Sequence, residues 1–408
     1  LAVSREWALK LLGLAEGLAR TPGQGPLRRK MTDDSLKVFQ QLYGNQPNDP
    51  LLRRELAQVL RVWANVMLAD DLTAALQANQ EAVALLNPRA CDPPPDTRYR
   101  DQLAETLRDQ ANLLKRMGRF SDAANAFERA LNVVHTLRQE LPEDPRFVRT
   151  EATVKSDFAS LQIHLDQLEP ALVNSTSAVS AFRQLADGPR LHPLDPLLLL
   201  LAIQTNAELF RRTDRLQDAE ELLAEGLRRA RSQADPDANV QFATGRLLFE
   251  RSQVLARSDS RIADAKLAVD ESIAIWERLV GERADSNRFD TYRLNLARAL
   301  TGRADLHGKA QQLDDSQTDL AKAIEICNAL LAKASENQSH REAMVETLYQ
   351  QSRLASRRTD RVTAVERIRQ SLDMQEQIVK QSPESQAARQ QLARLKSELQ
   401  WLTDADEK

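Results

Sequence analysis

Two small side chains seven residues apart recur seven times along this 408-residue chain. The first members are Ala75, Ala123, Ala171, Ala219, Ala265, Ser316 and Ala364, separated by 48, 48, 48, 46, 51 and 48 residues. Seven residues after each stands Ala82, Ala130, Ala178, Gly226, Ser272, Ala323 or Ser371. A spacing of seven returns to one face of a helix after two turns, and small residues there let a second helix axis approach closely. A repeat of this kind cannot bury its apolar face alone, so the units must stack.

A third small position precedes the first by eleven or twelve residues: Ala64, Ala111, Ala159, Ala207, Ala304 and Ser352, with Gln253 as the exception. It marks the first helix of each pair. Four residues after the first small residue comes an apolar side chain (Phe127, Leu223, Val269, Leu320, Ile368), replaced by Asn79 and Ser175 in two degenerate units. The apolar period continues through Leu137, Leu185, Leu279, Leu330 and Ile378, which predicts helices of about 18 to 22 residues. Asp49-Pro50, Asp144-Pro145, Asp195-Pro196, Asp235-Pro236 and Ser382-Pro383 are expected helix starts, since Asp or Ser caps and Pro suits the first turn. Met117-Gly118-Arg119 and Thr213-Asp214-Arg215 read as short turns inside hairpins. The expected organisation is an irregular leading part over 1–48, with helices near 4–20 and 32–43 around a turn at Thr21 to Pro26. Seven helical hairpins follow over 49–381, and a terminal helix and tail over 382–408. The longest linker is Asn87 to Asp96, with four prolines.

Composition agrees. Hydrophobic residues are 42% and charged residues 28%, ample for a core, while aromatics are only 4%, which starves strands. The fold class is therefore all-α. With 56 basic and 59 acidic residues spread along the chain, the net charge of −3 creates no field to gather nucleic acid. The longest apolar run, Leu197 to Ile203, falls well short of the roughly 20 residues of a membrane span and reads as buried helix. The opening residues lack the progression of a signal peptide, and the absent initiator Met suggests a fragment. Cys91 and Cys327 stand about five repeats apart, so with helix pairs advancing on the order of 10 Å each no disulfide is expected between them.

The small residues seven apart, the apolar residue between them and the preceding Gly-Arg or Asp-Arg turn resemble the tetratricopeptide repeat, although the period is about 48 rather than the usual ~34. The resemblance implies a right-handed α-α superhelix whose first helices line a concave face that holds a partner; a HEAT-like solenoid is the structural alternative. More narrowly, residues 26–66 and 118–147 resemble the repeat region of planctomycete-type bacterial serine/threonine protein kinases. In that family a kinase domain precedes the repeats, often with one membrane helix between, which would place the repeats outside the cytoplasm. The sequence holds no Gly-rich loop, His-Arg-Asp or Asp-Phe-Gly, so no catalysis is expected of this chain and no cofactor is called for.

His135, His164, His192, His307 and His340 are scattered without ligand spacing, and no metal is expected. Gly23 and Gly25 read as a turn, and the pairs Asp70-Asp71 and Asp314-Asp315 as solvated turn residues. One constellation stands out: Arg61 and Asn65 flank Ala64, and Arg108 and Asn112 flank Ala111, as i, i+4 pairs in adjacent repeats. In tetratricopeptide proteins matching positions grip a peptide carboxylate, and Lys115, Arg116, Arg211 and Arg212 near the first-helix ends would form the rim. The plainer reading is a solvated face with local pairing, and basic residues that complement helix dipoles. Three functions compete: a scaffold for a protein or peptide partner, the regulatory part of a kinase, and self-association along the solenoid.

Overall fold

The computed structural model describes residues 2–18, 24–68, 71–90, 96–189, 192–233, 236–282 and 289–404. Among these there is no strand; the chain is a succession of seventeen α-helices. They are α1 (Ala2–Leu18), α2 (Gly25–Asn45), α3 (Pro50–Met67), α4 (Leu72–Ala90), α5 (Thr97–Arg116), α6 (Phe120–Glu140), α7 (Pro145–His164), α8 (Leu168–Asp187) and α9 (Asp195–Arg212). Then follow α10 (Leu216–Arg231), α11 (Ala238–Leu255), α12 (Ile262–Glu282), α13 (Phe289–Lys309), α14 (Leu313–Lys333), α15 (Gln338–Arg357), α16 (Arg361–Gln381) and α17 (Gln386–Asp404). Two compact units arise, residues 1–158 with 283–289, and 159–282 with 290–408. No helix among the described residues is long and apolar enough to cross a membrane. The apolar run at 197–203 lies inside α9, with Leu199, Leu200, Ala202 and Ile203 buried.

All fourteen small residues of the repeat lie on the second helix of a pair and are buried. Where serine replaces alanine, its hydroxyl donates to a backbone carbonyl across the helix contact: Ser272 Oγ to Gly245 O at 2.8 Å and Ser371 Oγ to Val345 O at 2.9 Å. The close approach that demands a small residue also brings a carbonyl within reach, so the polar atom is satisfied without loss of packing. The degenerate Asn79 is likewise buried and donates from Nδ2 to Thr106 O at 3.2 Å.

Helix α2 begins seven residues earlier than the sequence pattern placed it, and Gly25 and Pro26 form its first turn rather than a loop. Residues 19–23 lie outside the described ones. Helices α1 and α2 use the same packing device as the later pairs: Ser35 Oγ donates to Ala8 O at 3.0 Å, and Arg28 stands where the other second helices carry their first small residue.

The exception at Gln253 dissolves in three dimensions. The buried small residue of α11 is Ser252, because the turn after α11 is lengthened by a 3₁₀ turn over Asp259–Arg261. In five other hairpins the turn has one form: Gly118, Asp166, Asp214, Gln311 and Thr359 all adopt left-handed backbone, with φ of 58–74°. Each stands five residues before the first small residue. The next residue's N–H reaches back five residues, as from Arg119 to Leu114 O at 2.9 Å and from Arg215 to Phe210 O at 2.7 Å. This closes the helix end and starts the next helix at once.

Two expected caps are corrected, at Asp195 and Ser382. Asp49 caps α3, and Asp144 accepts from Arg146 N at 2.9 Å. Asp195 instead lies within α9, buried, its carboxylate turned back to accept from His192 N at 3.0 Å. Asp235 lies outside the described residues, and Asp237 caps α11 through Asn239 N and Val240 N, each at 2.9 Å. Ser382 closes α16, while Ser385 Oγ accepts from Ala388 N at 3.2 Å at the start of α17. Asp314 and Asp315 belong to the first turn of α14, where acids complement the helix dipole. Helix α4 runs through Pro88 to Ala90; residues 91–95, including Cys91, lie outside the described ones, and Asp96 caps α5.

Candidate functional site: the first-helix face of α3, α5 and α7

Arg61 and Arg108 occupy equivalent positions of α3 and α5, three residues before the buried Ala64 and Ala111, so the hairpin period alone brings them onto one face. Neither extends freely into solvent. Arg61 Nη1 lies 2.7 Å from Glu105 Oε2 and 3.7 Å from Asp109 Oδ2. Arg108 Nη2 meets Asp109 Oδ1 at 2.7 Å, and its Nε lies 3.7 Å from Asp157 Oδ2. Asn112 Nδ2 donates to the same Asp157 oxygen at 2.8 Å, whereas Asn65 is exposed. Lys115 and Arg116 fall in the last turn of α5, where cations offset the helix dipole.

The expected row of cations is thus a ladder in which Arg61 meets carboxylates of the next repeat and Arg108 those of its own repeat and of the next. The repeat itself supplies those acids, since Asp109 and Asp157 are 48 residues apart, both two residues before the small residue. That periodicity was legible in the sequence; the pairing was not, because it depends on the lateral spacing of the helices. Burial works against the Arg108 charge, but Asp109, Asp157 and Glu105 outweigh it, so its pKa lies above the usual value.

A depression of about 220 Å³ opens beside Arg61, lined among others by Gln58 of α3, Asp101 and Glu105 of α5, and Arg146 and Phe147 of α7. Arg61 Nε is buried there with no hydrogen-bond partner among the described residues. Asp101 accepts from Thr150 Oγ1 at 3.3 Å, but burial, and then the charge of Glu105 one turn along, push its carboxyl up to about 6. The guanidinium of Arg146 lies 5.2 Å from the Phe147 ring centroid, which fixes one wall. The depression therefore offers an unused donor beside a carboxyl poised between its charged and neutral forms.

The remaining sequence candidates do not converge. Among the described residues no three metal-ligating side chains gather. His307 Nε2 lies 3.7 Å from Asp319 and His164 Nδ1 4.0 Å from Glu342, each a separate contact. Cys327 is buried, and burial pushes its thiol up to about 11, which keeps it unreactive.

No protein-family model matches the chain, and no curated protein matches its sequence. Solved structures do. The apo form of RapI superposes with a TM-score of 0.52 at 11% identity, over 95% of this chain and 98% of that one. A Rap protein complexed with competence and sporulation factor covers 97% of this chain and 99% of its own at 12% identity and a TM-score of 0.49. A tetratricopeptide repeat protein from Parabacteroides merdae covers 81% and 98% at 13% identity and a TM-score of 0.42. The fold is a tetratricopeptide-like helical solenoid. At such identities the likeness is one of fold, and in this chain the hairpin recurs with a period of about 48 residues.

Proposed function

We propose that this chain is a non-catalytic scaffold that binds a protein or peptide segment on the first-helix face of α3, α5 and α7, along Arg61, Asn65, Arg108, Asn112, Lys115 and Arg116. The observation that carries the reading is the depression at Arg61, where a buried guanidinium nitrogen without a hydrogen-bond partner among the described residues adjoins the half-buried carboxyl of Asp101. Because Glu105 already holds Arg61, a partner's carboxylate must displace an internal acid, and the released Glu105 and Asp101 then require a cation. The segment recognised accordingly carries an acid and a base close together. Binding the base draws Asp101 toward its ionised form, so association releases protons between about pH 4 and 6.

The test is affinity selection of random decapeptides on the 408-residue chain and on an Arg61→Gln, Arg108→Gln variant whose circular dichroism matches the parent. Peptides enriched in acid-base pairs that bind the parent and are lost by the variant are the expected result. Peptides held equally by both would remove this face from the reading. The likeness of residues 26–66 and 118–147 to kinase repeat regions supports a narrower reading, in which the solenoid is the docking part of a kinase; it requires an in-frame kinase domain encoded upstream of Leu1.

A further inference from the structure

We propose that Arg246 of α11 and Arg298 of α13 form a separate anchoring point that takes a carboxylate of a bound peptide. Both arginines stand six residues before the buried small residue of their helix, Ser252 and Ala304, and are therefore equivalent points on successive first helices. Both are half-buried, and neither makes a hydrogen bond or an ion pair with any described residue. That sets them apart from their surroundings. Arg211 Nε meets Glu250 Oε1 at 2.5 Å, Arg212 meets Glu208 at 3.0 Å, and Arg353 and Lys309 share Asp305 at 2.8 and 3.4 Å. The neighbouring carboxylates are taken, and the charge left over is cationic.

The Arg246 cation is also held in place. The Arg246 guanidinium lies 5.8 Å from the Phe242 ring centroid, and Phe242 packs edge-on against the buried Trp276 at 5.4 Å. Helices α11 and α13 approach so closely here that a Cβ on Gly302 would sit 2.9 Å from Phe249 Cε2 and 3.1 Å from Gln253 Nε2. Burial lowers the pKa of Arg246 and the Arg298 charge lowers it further, against the opposing pull of Glu208 and Glu250. Half-desolvated guanidinium groups without acceptors favour an incoming anion, because its approach restores hydrogen bonds that folding withdrew. A carboxylate fits better than a phosphate. Its planar fork matches guanidinium geometry, and its single charge meets less repulsion from Glu208 and Glu250.

The inference rests on the peptide-scaffold reading, and the experiment separates the two. The full chain, Arg246→Gln, Arg298→Gln, Arg246→Lys and the Arg61→Gln, Arg108→Gln variant are each presented with random decapeptides bearing free or amidated carboxyl ends. Among the peptides selected by the parent, a class held normally by the Arg61→Gln, Arg108→Gln variant is expected to be weakened about tenfold to a hundredfold by each single Gln variant, with part of the affinity kept by Arg246→Lys. Loss on amidation assigns the carboxylate to the chain end; tolerance of amidation with loss on replacing an acidic side chain by its amide assigns it to that side chain. Selected peptides that are all held normally by both single Gln variants, with some lost by the Arg61 variant, would overturn this anchor and leave the scaffold reading intact. Competition by inorganic phosphate but not by acetate would overturn the carboxylate assignment, and selection of no peptide by the parent would overturn both readings.

Discussion

At Asp101 stability and the proposed recognition pull in opposite directions. Its carboxyl is raised from 3.8 to about 6 by burial first and Glu105 second, so the folded state holds this proton more tightly than the unfolded chain does. The sign follows: ionisation destabilises the fold, the penalty is absent below about pH 4, and it is complete above about pH 6. Asp101→Asn keeps an acceptor for Thr150 and removes the charge. It is expected to raise the melting temperature near pH 7.5, with the gain shrinking as pH falls from about 6 to 4; a gain constant across that range would show that Asp101 is not the group responsible. The same substitution should weaken peptides that place a base beside Arg61, a cost at the site that accompanies a gain in stability. Nothing in the local sequence distinguishes Asp101 from the other acids of α5, because the main cause of its raised pKa is burial, which only the packing of the helices sets.

At the scale of the element, the hairpin turn is the most regular feature after the small residues. Glycine occupies its left-handed position once, at Gly118, while Thr359 holds φ 60° with a β-branched side chain. That conformation costs an L-residue about 1–2 kcal/mol, and for threonine it is uncommon. Thr359→Gly is therefore expected to stabilise the protein by about 0.5–1 kcal/mol in urea unfolding after the extra freedom of the unfolded chain is discounted, and Gly118→Thr to destabilise it by a similar or larger amount. Equal and small effects of one sign would contradict a shared turn geometry. The sequence displays this turn at Gly118 and Asp214 and hides it at Gln311 and Thr359. There the backbone follows from the packing of both flanking helices, which overrides a weak local preference.

In the whole molecule, α17 closes the array by covering α16: Ala388, Leu395 and Leu402 bury against Ala364, Ile368, Leu372 and Ile378. Arg394 also donates to Tyr349 Oη at 3.1 Å and lies over that ring. A solenoid in which each repeat meets only its neighbours confines the effect of a lost cap to the last units. This one has an added contact, because Ser385 Oγ donates to His164 O at 3.2 Å and Gln390 Nε2 to Asp166 Oδ2 at 2.8 Å, at the turn between α7 and α8. Removal of residues 385–408 is thus expected to speed amide exchange in α15 and α16 and also in the α7–α8 turn. Unchanged exchange at that turn would mean that the distant contact carries no stability.

The amino-acid sequence by itself determined the all-α class, the hairpin repeat, its period and the face on which Arg61 and Arg108 lie, because these follow from helix geometry and from which positions admit only small side chains. It also marked the degenerate units at Asn79 and Ser175, both of which prove buried. Only the tertiary structure decided which charges pair. Glu105 and Asp109 answer Arg61 across helices while Arg246 and Arg298 make no ion pair with a described residue, and that outcome rests on lateral helix spacing and burial, which no periodicity along one chain encodes.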